Sequence, residues 1–242
     1  RIGIFMTSSH QMSLYGRNST NSACFGANGL TSPLTYNDDS WHHVAGTYND
    51  TTAKLFIDGI EVNSTTHTCG SLPLGNTTKY IAKYIASGSY DWNGALDEIR
   101  VYNTTLTASQ IQELYNSSKS YHLEFKTDPS LGLTTDETDY PEISDTSGLV
   151  GYWKLNNDAT DSSGEGNDGT VNGATSTDNG RWEGAYDFDG NGDYIDLGDD
   201  ASLNFTGNFS ISVWAKSSKL GVRNNIIAEL DTPSEGMYNP YF

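Results

Sequence analysis

The chain has 242 residues, with 31 acidic side chains against 13 basic ones and a net charge of −18. That balance argues against nucleic acid or an anionic membrane as a partner and suits a soluble surface protein or one that binds cations. Gly, Ser, Thr, Asn and Tyr are abundant and only 18% of residues are charged, as expected for short strands joined by polar turns. The length fits one large or two small domains. No apolar run is long enough to span a bilayer, so no membrane insertion is expected. The chain opens on "RIGIFM" without an initiator methionine, which is read as a processed product or a window of something longer.

In chain order, residues 1–118 read as strand after strand. "WHHVAGTY" alternates, with His42, Val44 and Gly46 on one face and His43, Ala45 and Thr47 on the other. "KLFIDGIEV" is two strands around Asp58-Gly59, a two-residue hairpin signal. "ALDEIRVY" follows as a strand. Thr107 and Gln110 then form a capping box, and Ile111, Leu114 and Tyr115 make the one-sided stripe of a short helix. Residues 119–147 are acidic, rich in Pro, Thr and Gly, and read as a linker, although "SYHLEF" at its start alternates. From 148 to 242 strands resume. "GLVGYWKL" places Leu149, Gly151, Trp153 and Leu155 on one face. A polar loop follows, then "AYDFDGNGDYIDLG" as a hairpin. "NFSISVWAKS" alternates Phe209, Ile211, Val213 and Ala215 against Ser210, Ser212 and Trp214.

Cys24 and Cys69 lie far apart without metal-ligand spacing. A disulfide is the reading for a secreted protein, and two buried thiols are the alternative. Acceptor sequons for N-glycosylation occur at Asn18, Asn49, Asn63, Asn76, Asn103, Asn116, Asn204 and Asn208. Chance gives about five, so the excess supports a glycosylated extracellular or cell-surface protein.

Strict alternation sets Asp97 with Ile99 and Val101 on an apolar face, where a carboxylate needs a cation or several donors. The loop "DSSGEGND" offers Asp161, Asn167 and Asp168, hard oxygen ligands of the kind calcium takes. The alternative is that Asp97 pairs with an arginine or caps backbone amides. "DGNGD", Asp189 to Asp193, starts like a calcium loop but has Tyr194 where glycine is needed, so it reads as a turn. "ELDTPSE", Glu229 to Glu235, resembles a glycoside hydrolase carboxylate set, with the second glutamate one residue late and Pro233 breaking the strand. His42 and His43 point to opposite faces and cannot share an ion. Trp153, Trp182 and Trp214 are candidates for stacking on sugar, with core packing as the competing role.

"GLVGYWKL…DSSGEGNDGTVNG…AYDFDGNGDYIDLG…NFSISVWAKS" resembles the first half of a LamG-like jelly roll of the concanavalin A-like class. "WHHVAGTYND…KLFIDGIEV…NGALDEIRVYNTTLTASQIQELYN" resembles its second half. Here the second half comes first. The resemblance implies an all-β fold, a two-sheet antiparallel jelly-roll sandwich with one short helix. It also implies a structural calcium near Asp97 and the Asp161–Asp168 loop. Two arrangements satisfy the order: a circular permutant, or halves completed by neighbouring copies, since half a sandwich exposes its edges. The strand-like ends favour the second. The expected function is a non-enzymatic extracellular structural protein, a repeat or protomer of a filament or array built from copies of itself. A carbohydrate-binding adhesion module that takes glycans is the alternative, and a glycoside hydrolase the third reading.

Overall fold

The computed structural model describes residues 2–18, 20, 22–66, 72, 77–83, 90–117, 146–204, 207–217 and 223–229. Nearly all of the expected linker lies outside them, as do Cys69, Asn76 and the "GMYNPYF" terminus.

The strands are β1 (Ile2–Met6), β2 (Met12–Gly16), β3 (Leu30–Thr31), β4 (His42–Tyr48), β5 (Thr52–Ile57), β6 (Ile60–Thr66), β7 (Lys79–Ile81) and β8 (Asn93–Tyr102). After the helix α1 (Ala108–Ser117) come β9 (Leu149–Trp153), β10 (Thr170–Asn172), β11 (Thr175–Thr177), β12 (Ala185–Asp189), β13 (Tyr194–Asp196), β14 (Phe209–Lys216) and β15 (Asn224–Glu229). They form two antiparallel sheets. One runs β10-β13-β7-β15-β1-β2-β3. The other runs β11-β12-β8-β14-β4-β5-β6, with β9 beside β12 on the same edge of β8.

Within the one chain, the two segments complete each other. β14 lies between β8 and β4, with Val213 opposite Val44. β15 lies between β7 and β1, and Trp153 sits opposite Ile99. The edges that each segment would expose alone are covered by strands of the same chain.

One core results. Ile4, Met6, Leu14, Val44, Leu55, Ile99, Trp153, Val213 and Ile226 are fully buried between the sheets. Alternation explains most of it: on β14 Phe209, Ile211, Val213 and Ala215 face in, while Ser210, Ser212 and Trp214 face out. Gly46 lets the sheets meet, because a Cβ there would lie 2.6 Å from Leu14 Cδ1. A second cluster lies on the outer face of the eight-stranded sheet, where Ile111 and Leu114 of α1 cover Ala45, Phe56 and Tyr102. The capping box forms as expected: Gln110 N donates to Thr107 Oγ1 (3.2 Å) and Thr107 N to Gln110 Oε1 (2.9 Å). Asp58 and Gly59 both take positive φ, the requirement of the tight β5–β6 turn.

Two local readings are corrected. "AYDFDGNGDYIDLG" is not a hairpin, since β12 pairs with β11 and β8 whereas β13 pairs with β10 and β7. Its Gly/Asn/Asp turn carries the chain from one sheet to the other. Leu149 does not share the face of Trp153. An irregularity opposite Val101/Tyr102 inserts Val150, and Leu149 packs on the helix side.

Candidate functional site

The pattern of β8 breaks at Glu98. Val101 lies opposite Ile211 and Leu96 opposite Ala215, all four facing the core. Between them Glu98 takes φ 53° and the register slips. This bulge inserts one residue, so Asp97 leaves the face of Ile99 and stands opposite Trp214 on the outer face. Strict alternation therefore assigned Asp97 to the wrong face.

Register then sets out a buried polar patch. One row crosses His43, Trp214 and Asp97, and the next crosses Ala45, Ser212, Arg100 and Tyr152. Arg100 Nη2 donates to Glu98 Oε2 at 2.6 Å, and Tyr152 Oη donates to the same oxygen at 2.8 Å. The Arg100 guanidinium lies 3.9 Å over the Tyr152 ring. Trp214 stacks on Tyr115 at 5.7 Å and carries the Arg181 guanidinium at 4.5 Å. Burial, the largest influence, disfavours charge on Arg100, but Glu98, Tyr152 and Tyr102 together outweigh it and raise the guanidinium above its ordinary value. His43 is pushed down to about 3, by burial first and by Arg100 second, and is neutral.

Asp97 is fully buried. Its Oδ2 accepts Arg181 N (2.8 Å) and Trp182 N (3.1 Å). Burial first, then Glu98, pushes its carboxyl up to about 8 against these donors. Of the two sequence readings, capping of backbone amides is the one the geometry describes.

The loop residues are organised separately. Asp161 accepts Tyr152 N, Ser163 N, Asn167 N and Ser163 Oγ, and its own N donates to Asp168. The backbone donors hold its carboxyl below the usual range against the opposing effect of burial. Asn167 Nδ2 donates to Val150 O and Ser202 Oγ, and Asn167 O accepts Trp153 Nε1. Trp153 bridges Ile99 on one side and Asp161 on the other, so β9 stands between the loop and β8. The four expected calcium ligands do not surround one point. Among the described residues no three His, Cys, Asp or Glu side chains are placed to hold a metal. Asp97 Oδ1 and Asn167 Oδ1 are buried without a hydrogen-bond partner among the described residues.

The other candidates sort by burial. Trp153 and Trp214 are buried and offer no face to a sugar, while Trp182 is half-buried. His42 turns away from His43, as expected, and lies between Asp58 (2.9 Å) and Asp38 (3.2 Å). Asp189 accepts the amide of Asn191, and Asp193 that of Asp189, so "DGNGD" is a turn. Glu229 ends β15; its side chain, Asp231 and Glu235 lie outside the described residues. Cys24 is buried and no described cysteine is free. Asn49, Asn103, Asn116 and Asn208 are exposed. Asn18 Oδ1 accepts the amide and hydroxyl of Thr20 in its own sequon. Asn63 Nδ2 donates to Thr31 O (2.8 Å), and Asn204 accepts from Lys79.

One cleft went unread in the sequence. On the outer face of the seven-stranded sheet, Phe5 and Tyr15 meet edge to face at 5.6 Å. The Arg223 guanidinium lies 3.7 Å over Phe5. With Arg17 and the turn around Gly26 to Gly29 they line the cleft. "IGIFM" and "MSLYG" carried the signal, being apolar on both faces where a half-exposed strand alternates.

The two antiparallel sheets and the short helix form a sandwich consistent with a concanavalin A-like jelly roll. Residues 1–112 match the family model Laminin_G_3, described as "Concanavalin A-like lectin/glucanases superfamily". No curated protein and no solved structure matches the chain. Among the described residues no helix is long and apolar enough to cross a membrane.

Proposed function

We propose that the chain is a non-catalytic, extracellular LamG-like module, a circular permutant whose two segments close one sandwich. We further propose N-glycosylation at its exposed sequons and a Cys24–Cys69 disulfide. One observation supports the non-catalytic reading: among the described residues Asp97, Asp161 and Asp58 each hold backbone amides with a carboxylate oxygen. Asp97 takes two amides, Asp161 three, and Asp58 Oδ1 takes His43 N. General acid–base chemistry needs carboxyl groups held toward substrate, not toward their own chain. The test is glycan hydrolysis by the wild type against Glu229→Gln. No product from either is expected. Product that disappears in the variant would favour the hydrolase reading instead.

A carbohydrate-binding adhesion module is a second proposal. A filament or array of copies is a third proposal. With both halves supplied by one chain, such an assembly has to use surfaces of the closed sandwich.

A further inference from the structure

We propose that His42 is a pH-sensitive latch. As an imidazolium it ties the crossover between the two sheets, at Asp38, to the β5–β6 turn, at Asp58, and loss of its proton releases the crossover around Asp39.

The latch lies where the chain changes sheets. β3 ends at Thr31 in the seven-stranded sheet, and β4 begins at His42 in the eight-stranded one. The crossover, residues 32–41, is held at two backbone points: Tyr36 N donates to His10 O (2.9 Å) and Asp39 N to Ser217 O (3.3 Å). Asp39 takes φ 58°, a left-handed backbone that a residue with a side chain adopts only at a cost. The Tyr36 ring meets the His42 ring edge to face at 4.8 Å.

Two carboxylates fix the protonation of the ring. His42 Nδ1 lies 2.9 Å from Asp58 Oδ2, and Nε2 lies 3.2 Å from Asp38 Oδ1. An ionised carboxylate only accepts hydrogen bonds, and neutral imidazole has a single N–H. Both contacts are therefore hydrogen bonds only when the ring is doubly protonated. A neutral ring keeps one of them and turns a lone pair toward the other carboxylate. Asp58 is the partner kept, because its contact is the shorter and its Oδ1 is anchored by His43 N (3.0 Å). Asp38 is exposed, so water takes the place of the ring there. Asp38 Oδ1 also accepts Ser40 N (3.1 Å), and its displacement reaches the backbone on both sides of Asp39.

Among the described residues, Asp38 and Tyr36 of the crossover and Asp58 of the turn face the ring. On β14, Ala215 stands opposite His42, and Lys216 lies beside Trp41 instead. Hydrogen bonding to Asp58 raises His42 above 6.5 against the effect of burial. Burial would raise Asp38, but hydrogen bonds from His42 and Ser40 N hold it below 3.8. Burial first, and Asp58 second, push the Tyr36 phenol up, so it stays neutral. The contribution of His42 is complete below 6.5 and is lost as pH rises through the higher folded value. That of Asp38 is complete above 3.8 and is lost as pH falls through the lower folded value. The latch is closed in mildly acidic solution and open in alkaline solution.

The experiment is NMR of the full chain from pH 5 to pH 9, following the His42 ring and the amides of Asp39 and Ser40. The ring should titrate with a midpoint above 6.5, and both amides should move with that same midpoint. Asp38→Asn should lower the ring midpoint by about 0.2–0.7 of a pH unit, the worth of one exposed ion pair. It should also still the two amides, because an asparagine accepts from the charged ring, donates to the neutral one and stays tied in both states. His42→Gln should abolish the movement altogether. A ring midpoint at or below 6.5 would overturn the proposal, since two carboxylates would not then be holding the ring. Amides that stay still while the ring titrates, or that move unchanged in His42→Gln, would overturn the release of the crossover.

Discussion

Asp97→Asn should remove a specific pH dependence from the stability of the fold. The folded carboxyl is pushed from 3.8 up to about 8 by burial and by Glu98. A carboxyl with a raised folded pKa holds its proton in the native state while the unfolded chain has lost it. Below about pH 4 both states are protonated and Asp97 contributes no pH dependence. From about pH 4 to 8 the native state binds the extra proton, so stability falls as pH rises. Each unit corresponds to about 1.4 kcal/mol. Between pH 5 and pH 7 the wild type should therefore lose about 2.7 kcal/mol relative to Asp97→Asn. The asparagine keeps an oxygen for the amides of Arg181 and Trp182 and has no charge to bury. The assay is urea unfolding of both proteins at several pH values with chelator present. The stability difference between the two isolates this carboxyl from the other titrating groups. A difference that stays flat from pH 5 to pH 7 would refute the reasoning, because Asp97 would then be ionised in the folded state.

Arg100→Leu strands the buried Glu98 carboxylate, and should cost about 3–5 kcal/mol in urea unfolding. The double variant with Glu98→Gln should recover part of that loss. Hydrogen bonding to Asp58 raises the His42 pKa against the effect of burial. His42 thus contributes stability below its unfolded pKa of about 6.5 that is lost as pH rises through the higher folded value, and His42→Gln should flatten this component of the wild-type profile. If Cys24 and Cys69 are bridged, the loop of about 45 residues stabilises by roughly 4 kcal/mol on the chain-entropy model, and alkylation of the native oxidised protein should label neither cysteine.

The sequence displayed what depends on short-range periodicity. The alternation of β4 and β14, the Asp58-Gly59 turn and the Thr107/Gln110 box are each decided by residues within a few positions of one another. It concealed what depends on an interruption of that periodicity. One residue of bulge at Glu98 turned Asp97 to the opposite face, and nothing in "LDEIRVY" marks a position for left-handed backbone. The same holds for Val150, where an extra residue moved Leu149 to the helix side. Sheet membership is less local still. The turn after Asp189 looks the same whether its strands pair or part, and only the partners of β12 and β13 decide. The carboxylates misled for a related reason. A short acidic loop resembles a cation site in one dimension, whereas in the fold Asp161 accepts three amides of its own chain. The Arg17–Arg223 cleft joins residues more than two hundred positions apart, beyond the reach of any local pattern.

The central claim is that both segments close one sandwich within one chain, and cysteine trapping tests it most directly. Ala45 and Ser212 stand opposite each other on β4 and β14, both small and both on the outer face. With Ala45→Cys and Ser212→Cys together in dilute protein, mild oxidation should link the two strands inside a single chain, seen as a monomer on a non-reducing gel with one cross-linked peptide pair by mass spectrometry. A ladder of chains joined through the same two cysteines would contradict the closed sandwich and restore exchange of halves between copies.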